Sequence, residues 1–92
     1  MASPKNWERQ QHNEYEESPY IWEHKSGEER VLVTRRSWLY ERTKDWIVEQ
    51  RNIKHMTSSE LGVSSSKEEA RKIAVKRMRE NQEGFDTTTK DR

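Results

Sequence analysis

The sequence predicts an α+β domain: an antiparallel sheet of three or four strands with one C-terminal helix packed across one face. Three observations point to it. From Lys67 onward, Ala70, Ile73, Ala74 and Met78 recur at helical spacing, while Lys72, Lys76 and Arg79 fall on the opposite side. Upstream, Tyr20-Ile21-Trp22-Glu23-His24-Lys25 alternates as a half-buried strand does, with Tyr20, Trp22 and His24 on one face. Arg30-Val31-Leu32-Val33-Thr34-Arg35 then supplies a β-branched run across a Ser26-Gly27 turn, which makes the pair a hairpin.

Taken in order, residues 1–18 are polar and read as a flexible arm. Trp7 and Tyr15 are its exceptions. A large aromatic in a polar stretch docks on its own domain more often than it anchors a partner, so both are expected to dock. The folded domain is expected over residues 19–85, opening after Ser18-Pro19. Residues 37–54 admit two readings: strands at Trp38-Leu39-Tyr40 and Trp46-Ile47-Val48 around a turn at Thr43-Lys44-Asp45, or a helix capped by Ser37. Aromatic and β-branched enrichment favours the strands. Leu61-Gly62-Val63 is a short edge strand or the lead-in to the helix. Ser66 caps that helix, and Glu69 is placed to reach back to it. Past the helix, Gly84 allows Phe85 to fold back as a last apolar contact. Residues 86–92 read as a disordered tail.

Composition narrows the function more than it names it. Of 92 residues, 28% are hydrophobic and 38% charged, which leaves a thin core built on a few large side chains. The net charge of +1 is no polybasic signature. Its distribution is uneven, however. Residues 8–29 carry seven Glu against Arg9 and Lys25, whereas seven Lys or Arg between Arg30 and Lys54 face only Glu41, Asp45 and Glu49. The chain has no cysteine, so it offers no disulfide or thiolate chemistry. No apolar run approaches a membrane span, and the expectation is a cytoplasmic protein without membrane contact.

Catalytic signatures are missing from the pattern. His12, His24 and His55 are far apart with no second ligand one helical turn away, so no metal is expected and His24 is read as a packed or surface imidazole. Glu16-Glu17, Glu28-Glu29 and Glu68-Glu69 fall in an arm, a turn and a helix start, where acids have structural reasons to be. Neither a Gly-x-Ser-x-Gly elbow nor a phosphate-cradling glycine loop occurs. The expectation is therefore a protein that is not an enzyme and needs no cofactor.

The basic, aromatic middle is the functional lead. Arg35, Arg36, Arg42, Lys44, Arg51 and Lys54 interleave with Trp38, Tyr40 and Trp46. On a sheet such residues can hold phosphates and stack bases. The plainer alternative puts the tryptophans in the core, at least two of Trp22, Trp38 and Trp46, and leaves the charges to solvate the outer face. We adopt it for the tryptophans because few other large residues exist to fill a core. The helix reads as self-compensating, with Glu68 and Lys72, and Lys76 and Glu80, at i,i+4 spacing.

Two resemblances add to this. Gly62-Val63-Ser64-Ser65-Ser66-Lys67-Glu68-Glu69-Ala70-Arg71-Lys72-Ile73-Ala74 resembles the last third of double-stranded RNA-binding domains. There, a Gly-containing turn and a Ser precede a helix that opens with a basic element over the phosphates. Lys67 and Arg71 match basic positions of that element, and Glu68 stands where its second lysine is expected. What the resemblance implies is RNA contact by Lys67 and Arg71. Separately, Trp7-Glu8, Trp22-Glu23-His24, Asp45 to Glu49 and Ser66 to Asn81 look like segments of small uncharacterised haloarchaeal-type domains, a group that implies no activity. The function expected is a small non-catalytic binding module with nucleic acid as partner, through Arg35, Arg36, Arg42, Lys44, Arg51, Lys54, Lys67 and Arg71. The alternative is a protein-interaction or self-association module, a homodimer included.

Overall fold

Five strands follow one another in space as they do in sequence. The computed structural model describes residues 4–10, 18–37 and 44–85. It contains β1 (Trp7–Arg9), β2 (Tyr20–His24), β3 (Glu29–Thr34), β4 (Trp46–Asn52), β5 (Thr57–Ser64) and α1 (Lys67–Glu80). The sheet order is β1-β2-β3-β4-β5, antiparallel throughout, and α1 packs against β3, β4 and β5. The predicted fold class holds, with five strands in place of three or four.

The added strand, β1, is an edge of the sheet, and β5 is the other. The sequence places residues 7–9 in a polar arm; in the structure they form β1 and pair with Arg9 opposite Trp22 and Trp7 opposite His24. One side chain explains this. The Trp7 indole is 3% exposed, lies edge-on to His24 at 4.7 Å and 5.7 Å from Phe85, and donates Nε1–H to the Asn81 carbonyl at 3.2 Å. Trp7 therefore docks on its own domain, as expected. β5 is longer than the Leu61–Val63 strand read from sequence because an edge strand wets one side and tolerates Thr, Ser and Glu. The β2–β3 hairpin forms with Tyr20 opposite Val33 and Glu23 opposite Arg30. Residues 46–52 are strand, not helix. Trp38, Leu39, Tyr40, Arg42 and Thr43, like Tyr15 and residues 86–92, lie outside the described residues.

The helix-side face of the sheet gives Trp7, Trp22, Val31, Val33, Trp46 and Val48 to the core, and α1 gives Ala70, Ala74, Val75 and Met78. Trp22 and Trp46 are thus core residues. Alanines at 70 and 74 let the helix approach the sheet closely; both are fully buried. Ile73, expected inside, is half-buried at the β5 margin, and Val75 is the more enclosed residue. The backbone of Gly62 makes room for Ile73: a Cβ at position 62 would sit 2.9 Å from Ile73 Cγ2. The opposite face is not the solvated charged surface expected of it. Ile21, Leu32 and Ile47 are all buried there, beside Thr34 and Glu49.

Both helix ends are satisfied. Ser66 Oγ accepts from the Glu69 N–H at 3.3 Å. The reciprocal half of the cap differs from expectation: the Ser66 N–H donates to Ser64 Oγ at 3.1 Å, and the Glu69 carboxylate lies 3.7 Å from Lys72 Nζ. Beyond Asn81, Gly84 at φ +106° turns the chain so that the Phe85 N–H donates to Glu29 Oε1 at 2.7 Å, the predicted fold-back. Gln82 adds two ties, accepting from Asn6 Nδ2–H at 3.0 Å and from His24 Nε2–H at 2.9 Å. Since His24 Nδ1 accepts from the Ser26 N–H, this is a packed imidazole with a defined tautomer.

Candidate nucleic-acid interface

The register of the sheet divides the basic residues between its two ends. β3 ends, β4 begins, β5 ends and α1 begins at the same end. Arg35 and Arg36 leave β3 there, Lys44 leads into β4, and Lys67 opens the helix with Arg71 one turn later. Trp46 ties the group together, opposite Ser64 across the β4–β5 ladder and beneath the Arg35 guanidinium, whose Cζ is 4.3 Å from the indole centroid. Arg36, Lys44 and Lys67 are exposed. Lys44 and Lys67 form no ion pair among the described residues.

Lys54 is not brought to that group, and Arg51 meets it only at the Arg36 carbonyl. Lys54 lies in the β4–β5 turn, ten residues beyond Lys44 and roughly 30 Å away along the strand direction. Its ammonium is 3.9 Å from Glu28, both well exposed. Arg51 faces the sheet surface opposite the helix and is committed to the buried Glu49 carboxylate, Nε to Oε1 at 3.2 Å, with a further bond from its guanidinium to the Arg36 carbonyl at 3.1 Å. Arg42 lies outside the described residues.

Sequence reasoning missed Arg9 and Tyr20 as members of the basic end. Arg9 lies with its Cζ 4.7 Å above the Tyr20 ring and 5.8 Å from that of Trp22, while Tyr20 stacks on Trp22 at 6.0 Å. From the helix, Arg71 approaches the same tyrosine at 6.0 Å and donates to Glu68 at 3.1 Å. The Tyr20 hydroxyl donates to the other Glu68 oxygen at 2.9 Å. No local pattern announces this cluster, because β1 itself has none.

The helix charges also pair differently from the i,i+4 reading. Glu68 takes Arg71 and Glu69 takes Lys72, both at i,i+3. Lys76, Arg77 and Arg79 form no ion pair among the described residues. The second half of α1 is therefore basic rather than self-compensated. Its outer ridge of Arg71, Lys72, Lys76 and Arg79 flanks Val75 along a shallow groove of about 230 Å³.

Glu68 has a displaced titration. The Tyr20 hydroxyl bond and then the Arg71 bond hold it below the ordinary glutamate value. Tyr20 is pushed up, first by desolvation and then by its bond to Glu68. A depressed acid stabilises the fold above its unfolded pKa and loses that contribution as pH falls through the folded value. A raised phenol contributes below its unfolded pKa and loses the contribution as pH rises through the folded one. Carboxyl-carbon NMR titration should place Glu68 below free glutamate, and Tyr20→Phe should move its midpoint upward. An unmoved midpoint would show that the hydroxyl bond is not the cause.

Among the described residues, no helix is long and apolar enough to cross a membrane, and no three His, Asp or Glu side chains converge as metal ligands. Comparison of the chain with protein-family models, with curated proteins and with solved structures returns no match.

Proposed function

We propose that this protein is a small non-catalytic module that binds nucleic acid through the basic end of its sheet. The supporting observation is the convergence of Arg35, Arg36, Lys44, Lys67 and Arg71, from separate segments of the chain, at one end of the fold. The half-buried Tyr20 lies beside them. Lysines and arginines spaced over such an end can contact successive phosphates, and binding of that kind weakens steeply with salt. The buried tryptophans argue against base stacking on the sheet face, so the reading is one of backbone contact with little sequence preference.

The test is titration with single- and double-stranded DNA and RNA at two salt concentrations. Lys44→Glu combined with Lys67→Glu should abolish binding without lowering the melting temperature. Lys54→Glu, at the other end, should leave binding intact. Each lost phosphate contact should reduce the salt slope by roughly 0.7–0.9. Failure of the wild-type chain to bind any of the four would remove nucleic acid as the partner. A second reading, self-association, is favoured by a different feature, the edge of β5.

A further inference from the structure

β5 is an eight-residue edge strand that pairs on one side only among the described residues, with β4. Thr57-Ser58-Ser59-Glu60-Leu61-Gly62-Val63-Ser64 contains neither proline nor lysine; Glu60 and the register shift at Leu61, opposite Val48 and Glu49, are what guards this edge has. Val63 on it is 50% exposed, one of the two large apolar side chains so exposed among the described residues. The short β1 edge, by contrast, spans three residues.

The helix beside this edge carries a charge pattern that is its own complement. Ile73 lies directly over Gly62 and is only half-buried. One turn before it on the same helix face is Glu69, and one turn after it is Arg77, both exposed. Arg77 forms no ion pair among the described residues. The opposite flank of α1 turns toward β2, where Arg71 meets Tyr20, so Glu69, Ile73 and Arg77 lie on the flank facing out past β5.

We propose that the occupant of this edge is a second copy of the chain, paired β5 to β5 about a two-fold axis at the level of Gly62. Antiparallel strands related by such an axis place a residue opposite itself at the centre. Centring on Gly62 keeps Glu60 from facing Glu60 of the second copy. Because Ile73 stands over Gly62, the same axis brings Ile73 against its counterpart. It then sets Glu69 against Arg77 of the second copy, and Arg77 against Glu69. One axis thus satisfies strand and helix together, with opposite charges meeting on both sides of an apolar centre. Two five-stranded sheets become one of ten strands. The inference is independent of nucleic acid, since it uses neither the basic end nor its residues.

Charge reversal tests it without relying on any unstable variant. Sedimentation velocity over a concentration series should show a monomer–dimer equilibrium for the wild-type chain. Arg77→Glu alone sets Glu against Glu across the axis, and Glu69→Arg alone sets Arg against Arg. Each should weaken the dimer roughly tenfold or more. An equimolar mixture of these two variants restores both opposite-charge contacts and should form a heterodimer, which also shows that each variant is folded. Val63→Lys should weaken the dimer by guarding the edge. A wild-type chain that remains monomeric up to its solubility limit would overturn the proposal. So would a dimer indifferent to the single reversals, or a mixture no stronger than its components.

Discussion

Glu49→Ala is expected to remove a large part of the stability of this domain. Glu49 sits fully buried on the sheet face opposite the helix, in register with Leu32 on β3 and Glu60 on β5. Its carboxylate accepts from Arg51 Nε at 3.2 Å, from Ser37 Oγ at 2.8 Å and from Ser58 Oγ. Deleting it takes the carboxylate from a guanidinium that is only 15% exposed and leaves two hydroxyls without this acceptor. Breaking a buried pair on one side costs about 3–5 kcal/mol, against a total of roughly 5–14 kcal/mol for a chain of this length. Urea melts should show the midpoint collapse for Glu49→Ala. The double change Glu49→Leu with Arg51→Met should recover much of the loss, because neither charge is then left alone. Coincident midpoints for Glu49→Ala and wild type would mean that the cluster contributes nothing net.

The second large effect belongs to Met78→Asp. Met78 is fully buried and is the largest side chain enclosed to that degree among the described residues. It stands where the last turn of α1 meets the core that contains Trp7 and Trp22. An aspartate there is a charge without a partner in an apolar setting, or a carboxylic acid forced to keep its proton. Circular dichroism should show no cooperative melt near room temperature. Ile73→Asp provides the graded comparison: at the sheet margin its carboxylate can reach water, so the variant should fold with a lowered midpoint. Equal effects at the two positions would place the helix in a different rotation about its axis.

Much of the architecture was legible because it is written locally. Ser66 as cap, Ala70, Ala74 and Met78 as the docked line, and alternation across Tyr20 to His24 need only short-range periodicity. β1 was not legible: three residues in a polar stretch become strand through contacts with His24, Asn81 and Phe85, all remote in sequence. β5 was seen only at Leu61–Val63, because its remaining residues are those a wet edge accepts, and such residues look like loop. The basic residues were all visible, but not their partners. Whether Arg51 serves a ligand or a buried carboxylate depends on which side of the sheet Glu49 and Ser58 share with it, and that follows from pairing register. The same holds for Arg36, Lys44 and Lys67: a meander with α1 returning over it brings them to one end, and no short window of sequence contains that information.

The ties that Asn81, Gln82 and Phe85 make to Asn6, Trp7, His24 and Glu29 bear on how the chain reaches this state. Contacts separated by as many as 76 residues are the slowest to find one another, and they cannot form until the last turn has been synthesised. During translation the β2–β3–β4–β5 meander can assemble pair by pair as it emerges. The indole of Trp7 has no Asn81 carbonyl to meet until the helix and the turn after it have left the ribosome. A nascent chain halted before residue 81 would carry that aromatic edge unlatched, and so would a proteolytic fragment cut at the same place. Quality-control factors that sense exposed apolar side chains would therefore distinguish a chain without residues 81–85 from one that has them by the state of Trp7.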